Sequence, residues 1–465
     1  MALGQLIALL SADSGMSFFG PISPPTLDDT SSPVLHRALH RARVVGHFAV
    51  VQAIVQIIGF GSGIILVRTM AQREYAYFTI ANTMQATINL LADIGISVGL
   101  ISIGGRVWQD RHRFGQLIST ALAFRKKLGA FAIVIVTPFL YFLLARNGAS
   151  VAYATVLIGL LLAGLVVQLS QGVLSVVPRL HSDIRKIQTI DLTGAIVRFA
   201  TLLGLALAAS ALHRINNSLS LSAASAIAVA SATFLLQYTM LQSYVGGVID
   251  LRAPQNAEDR QEIVRLTKHL APNAIFYCLQ GQITVFLISI FARHATAVAE
   301  VGALGRLAMI FTVLGNLMTN IFVPAFARCH EPRKLRLLYA AILGGVLAFS
   351  LLVLAGAALF PAQFLFVLGN KYAHLGRELL LMVAGAVVAA IAGTLWALNA
   401  SKAWVSGAWL YVPLTLATQV ALIPFTDFSS VAGVLIFNLI SQLPSLLLNM
   451  ALSYRGFRLL PQPAN

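Results

Sequence analysis

Between residues 44 and 453 the sequence is a succession of long apolar runs separated by short polar turns. A helix that crosses a bilayer needs about 20 consecutive, mainly apolar residues. Runs of that length fall at 44–67, 76–104, 124–145, 151–178, 188–213, 220–247, 269–292, 298–327, 337–360, 376–399, 403–425 and 430–453. In hydrocarbon every backbone N–H and C=O must be satisfied within the protein, and helices do this within each segment. The runs therefore predict an all-α polytopic membrane protein with about twelve transmembrane helices. Only 10% of the residues are charged, against about 25% in an ordinary soluble domain, so a soluble fold is excluded.

A net charge of +16 would suggest a nucleic-acid partner in a soluble protein. Here it has another explanation. With the N-terminus in the cytoplasm, 23 of the 32 Lys and Arg residues fall on the cytoplasmic side, seven fall opposite, and Arg198 and Arg306 lie within spans. That bias predicts an even number of spans with both termini inside, and membrane lipids rather than nucleic acid as the basic ends' neighbours. The opening MALGQLIALL lacks a basic start and is too short to span, so no signal peptide is expected. The two cysteines, Cys278 and Cys329, imply neither a disulfide nor a metal cluster, and no phosphate-binding glycine loop appears. No cofactor is expected.

The domain plan is a disordered cytoplasmic tail (1–34), an N-terminal six-helix lobe (35–249), a cytoplasmic linker (250–268) and a C-terminal six-helix lobe (269–465). The halves echo each other. Arg68 to Arg106 is a polar turn containing Glu74 followed by a long helix, and Ala292 to Arg328 repeats the arrangement around Glu300, 226 residues later. Repeats of this kind put a site between them near the membrane midplane. Along the first of these helices Asn82, Gln85, Asn89 and Asp93 follow at helical spacing on one face. Such a stripe avoids lipid and looks into the bundle or a wet cavity. Gln280, Asn316 and Asn320 fall in corresponding parts of the second half. These amides suit either hydroxyl-rich ligands or helix-to-helix adhesion.

Asp93 is the one acidic residue deep inside a span. It is a candidate for proton or sodium coupling, for pairing with Arg198 or Arg306, or for a structural pair near its helix end. Arg306 is a candidate for binding an anionic ligand, or for reaching the outer interface. Arg198 stands seven residues after Asp191 on the same helical face, where an ion pair is the simpler reading.

The segments RTMAQREYAYF (Arg68 to Phe78) and LLADIGI (Leu90 to Ile96) resemble the opening of Wzx-type polysaccharide flippases. In that family an arginine and a Glu-Tyr-Gly-like turn precede a helix that closes on Leu-x-Asp-Leu/Ile-Gly; Ala76 stands here where glycine is common. AEVGALGRLAMI, Ala299 to Ile310, resembles the matching segment of the second lobe, with Arg306 at an often basic position. The wider superfamily includes MATE exporters and MurJ-like lipid II flippases. The resemblance implies two six-helix bundles around a cationic cavity. It also implies ion-coupled movement of undecaprenyl-diphosphate-linked oligosaccharide from the cytoplasmic to the periplasmic leaflet of the bacterial inner membrane. Arg306, Arg198 and Asp93 would then be the charged cavity residues, and the polysaccharide polymerase and export machinery would be partners. A MATE-like exporter of cationic compounds and a MurJ-like lipid II flippase are the competing transporters. A membrane glycan polymerase or other enzyme is disfavoured, because no paired carboxylates and no nucleophile–base set occur.

Overall fold

In the computed structural model the described residues are 33–459, save Gly95, Ser182, 214–220, Arg293, 319–321, His330 and Ala403. The tail expected at 1–34 falls almost wholly outside them, as does Asn320. The described chain forms helices α1 (Pro33–Thr69), α2 (Gln72–Asp93), α3 (Ile96–Val107), α4 (Arg111–Arg146), α5 (Val151–Leu174), α6 (Val176–Leu180), α7 (Ile184–His213), α8 (Ala223–Val248) and α9 (Ala257–Phe291). The second half continues with α10 (Ala295–Ala308), α11 (Ile310–Leu317), α12 (Val323–Arg328), α13 (Pro332–Leu359), α14 (Pro361–Leu368), α15 (Gly376–Ser401), α16 (Tyr411–Leu422), α17 (Val431–Ser441) and α18 (Leu443–Arg458). Among the described residues no strand forms; a single parallel bridge joins Met70 to Leu221.

Nine of the described helices or helix runs are long and apolar enough to cross a membrane, and α10 with α11, bent by 42° at Met309, makes a tenth. Helix α2 falls outside that set because it carries Asn82, Gln85, Asn89 and Asp93, which lower its hydropathy. Exposed Phe131, Val134, Leu351, Leu352 and Val420 give the molecule an apolar exterior, as lipid contact requires.

Local chemistry corrects several predicted boundaries. The span expected at 124–145 begins thirteen residues earlier, at Arg111, because the Asp110 side chain accepts from the backbone N–H groups of His112 and Arg113 (2.9 and 3.0 Å). That is an N-cap. The single helix expected over 76–104 is broken after Asp93. The linker expected over 250–268 is mostly helix: Asn256 accepts from Glu258 and Asp259 N–H, and α9 runs unbroken from Ala257 into the membrane. The turn between α4 and α5 needs Gly148 at φ 90°, a left-handed conformation that glycine adopts without strain.

Packing differs at the two ends of the molecule. At the end that bears Glu74 and Glu300, one continuous core joins both halves of the chain; it includes Leu66, Tyr75, Ile80 and Leu157 from the first, and Ile288, Leu304, Leu368 and Tyr372 from the second. At the opposite end the core divides. Among the described residues one cluster, with Phe114, Leu117, Val173 and Val245, takes Ile263 of α9 from the second half, and a separate cluster gathers Phe326, Leu335, Ile342 and Leu398. Among the described residues the halves share one core at the first end, and at the other α9 carries the contacts with the first half, through Ile263, Asp259 and Glu262.

Candidate functional site

Arg306 ends α10 where the two halves meet. Its Nε donates to the Tyr75 hydroxyl (3.2 Å), and its guanidinium lies over the Phe78 ring, 5.8 Å from the centroid. Tyr75 in turn donates to the Gly302 carbonyl (3.3 Å). On α1, a Cβ at Gly63 would stand 3.1 Å from Arg306 Cδ, so glycine leaves the room in which the arginine lies. Arg198 lies on α7, whose Phe199 packs against Gly61 of α1 (a Cβ there would stand 3.1 Å from the ring), two residues before the Gly63 that faces Arg306. The Arg198 Nε is buried and has no hydrogen-bond partner. Among the described residues neither arginine makes an ion pair; the Asp191 pairing expected for Arg198 does not form. Asn82 is exposed and stands one turn beyond Phe78 on the same face of α2. Two like charges inside a membrane bundle without a carboxylate are costly, and a bound anion would relieve that cost.

The remaining amides are engaged elsewhere. Gln85 donates to Gln168 on α5 (3.1 Å). Asn89 accepts from Arg125 Nη2 (3.1 Å). Gln280 and Gln419 exchange two hydrogen bonds (3.1 and 2.8 Å) and so bolt α9 to α16. Asn316 also has a partner. These are helix-to-helix contacts of the kind polar residues make in membranes.

Asp93 pairs with neither Arg198 nor Arg306. Its partner is Arg125, at 2.8 Å, with Ser97 donating to the same carboxylate (2.8 Å). Arg125 is 4% exposed and points between α2 and α5, where Gly172 makes room: a Cβ there would fall 2.6 Å from Nη1. The span expected over 124–145 puts Arg125 at its start rather than within the helix. The signal that could have placed it inside was Asp110, a capping residue one full helical segment upstream.

At the Glu74 end the halves are locked by reciprocal bonds to backbone. Arg68 donates to the carbonyls of Val367 (2.9 Å) and Phe366 (2.5 Å), at the C-terminus of α14. Lys371 Nζ donates to Arg68 O (3.2 Å) and Met70 O (2.7 Å), at the C-terminus of α1. Each cation thus sits on the negative end of a helix from the other half, and partial burial pushes the Lys371 ammonium below its ordinary pKa. Arg146 and Asn147 add bonds to Ile290 O (2.6 Å) and Ser289 O (3.2 Å). Gly302 lies so close to Thr79 that a Cβ there would overlap its side chain. With Cys278 and Cys329 changed to Ser, an Asn82→Cys probe is expected to resist a membrane-impermeant thiol reagent added from the Glu74 side. Adding Arg68→Ala and Lys371→Ala is expected to raise its labelling rate several-fold, since four charge-assisted bonds of roughly 1 kcal/mol or less each at this exposure are removed. An unchanged rate would show that the lock lies elsewhere.

No protein-family model matches the sequence, and no curated protein matches it in a sequence comparison. Solved structures do match the fold. Similar chains include the lipid II flippase MurJ in an inward closed conformation, with a TM-score of 0.61 and 10% identity over 88% of this chain and 89% of that one. An inward-facing multidrug-resistance MATE transporter of the MOP superfamily aligns with a TM-score of 0.57 and 15% identity over 87% of this chain and 98% of that one. A MOP-superfamily transporter from Pyrococcus furiosus, described as having a binding pocket of reversed polarity, aligns with a TM-score of 0.56 and 16% identity over 87% and 94%. The chain therefore has the helical fold shared by MATE and MurJ transporters, and it is a multi-pass membrane protein.

Proposed function

We propose that the protein is a transporter of the bacterial inner membrane that flips undecaprenyl-diphosphate-linked oligosaccharide units from the cytoplasmic to the periplasmic leaflet by alternating access, for polysaccharide biosynthesis. The observation that carries this reading is that Arg306, at the meeting of the halves, and Arg198, on α7, both lack a carboxylate partner among the described residues, and that the Arg198 Nε is buried without any partner. A diphosphate supplies the missing negative charge and the oxygen acceptors that guanidinium forks bind best. A pocket for cationic compounds would want the opposite sign. In this reading the chain is organised as two six-helix lobes with both termini inside. The lock at the Glu74 end closes the periplasmic side, and substrate enters from the end where the core divides. Coupling to protons or sodium belongs to the proposal, with the Asp93–Arg125 pair as the place where a cation would compete with a guanidinium. The polymerase and export machinery that consume the flipped unit are the proposed protein partners.

The test is reconstitution in liposomes with a fluorescent polyprenyl-diphosphate disaccharide whose two leaflets are distinguished by a membrane-impermeant quencher. Protein-dependent exchange of the probe between leaflets is the expected result. No exchange, together with uptake of a cationic dye driven by an ion gradient, would replace this reading with that of an exporter.

A further inference from the structure

Helix α9 has four sides, and three of them are accounted for. Cys278 faces α2, its thiol directed at the Thr87 carbonyl (3.8 Å). At about 100° per residue, Phe286 lies on the next flank and meets Phe139 of α4 edge-on, with centroids 5.9 Å apart. Ile275 and Leu279 share that flank and are exposed and wholly apolar, as a lipid-facing strip should be. On the far side Phe276 and Gln280 pack against α16. The fourth flank, opposite the lipid strip, carries Tyr277 and Gly281. Tyr277 is 45% exposed, and a Cβ at Gly281 would meet nothing within 4 Å. At Gly281 this flank is open.

Tyr277 does not stand alone there. Its ring stacks on Tyr411 of α16, with centroids 5.1 Å apart and planes 16° from parallel, and Phe276 braces Tyr411 edge-on at 5.4 Å. One turn further along α9, the reciprocal Gln280–Gln419 bonds hold the two helices in register. The outcome is a fixed aromatic shelf. Tyr277 stacks on Tyr411, has Phe276 edge-on at 6.3 Å, and still leaves 45% of its surface exposed, with a phenolic hydroxyl at the ring's edge. A residue that only filled lipid-facing space would gain nothing from so much bracing.

We infer that Tyr277, backed by Tyr411 and held by Gln280–Gln419, is a sugar-binding shelf of the transport cavity, on which the apolar C–H face of a pyranose ring stacks. This deepens the flippase reading and rests on it. Arginines hold the diphosphate and the shelf holds the glycan, so the two parts of one substrate meet opposite halves of their chemistry. A flat aromatic face with a polar edge suits a saccharide, whose rings are apolar on their faces and hydroxylated at their rims.

Binding to the purified full-length protein in detergent separates the shelf from the arginines. Two probes are used, a fluorescent polyprenyl diphosphate bearing a disaccharide and the same lipid diphosphate without sugar. Tyr277→Ala is expected to weaken the disaccharide probe roughly 5- to 10-fold, the size of one lost aromatic stack, and to leave the sugar-free probe unchanged. Tyr277→Trp keeps the shelf and is expected to bind both normally, which controls for folding. Arg306→Ala is expected to weaken both. If Tyr277→Ala changes both probes equally, or neither, the shelf is overturned while the flippase reading stands. If wild type binds neither probe, the flippase reading falls and the shelf falls with it.

Discussion

Asp93→Ala is expected to destabilise the protein by about 2–3 kcal/mol, seen as a lower midpoint of thermal unfolding in detergent. Removing one member of a buried ion pair costs about 3–5 kcal/mol, because the other charge is left uncompensated. The lower figure applies because the Asp93 side chain is 32% exposed and already partly solvated. Arg125, with a 5% exposed side chain, would keep Asn89 but lose its counter-charge. Its Nε is already without a partner, so the guanidinium has little left to lose cheaply. Asp93→Ala combined with Arg125→Leu removes both charges and fills the space with apolar atoms. That double variant is expected to recover most of the lost stability, since a buried pair replaced as a unit is often neutral. A double variant no better than the single one would show that Arg125 is not what Asp93 stabilises. A carboxylate that served only ion coupling would give the other pattern, with transport lost and the unfolding midpoint unmoved.

The same pair shows how far the sequence carried. Apolar run length placed seven of the spans within five residues at each end, because a bilayer imposes one length on every helix. It could not place the break after Asp93, because Ile94 and Gly95 lie in an apolar run that hydropathy reads as continuous. Arg125 was misplaced for a related reason. Hydropathy marks where charge density changes, and at Arg125, Lys126 and Lys127 it reads the start of a span, whereas the helix starts at its cap, Asp110. The polar stripe on α2 was legible as a stripe, and its helical spacing was real. Which way each member faces was not, since an amide that lines a cavity and one that bonds a neighbouring helix look alike in sequence. Asn82 is exposed while Gln85 and Asn89, one and two turns on, are tied to Gln168 and Arg125. The reciprocal lock of Arg68 and Lys371 left no trace at all, because its acceptors are backbone carbonyls.

Arg306→Ala is expected to lower affinity for a polyprenyl-diphosphate saccharide by about 10- to 100-fold, measured by direct binding to the purified protein. Hydrogen bonds to charged groups contribute about 1.5–3 kcal/mol each, and a fork that binds two phosphate oxygens loses both at once. Arg306→Lys keeps the charge without the fork and is expected to fall between the two. The stability of the empty protein should move the other way. Neither Arg198 nor Arg306 has a carboxylate partner among the described residues, so removing either intramembrane charge is expected to raise the unfolding midpoint without ligand. Tyr75→Phe is the control, because Arg306 also donates to the Tyr75 hydroxyl at the sealed end; it should leave affinity near wild type. Weaker binding joined to a more stable empty protein is the signature of a charge kept for a ligand. Weaker binding joined to a less stable protein would make Arg306 a structural residue of the seal, and would move the anion site to Arg198 alone.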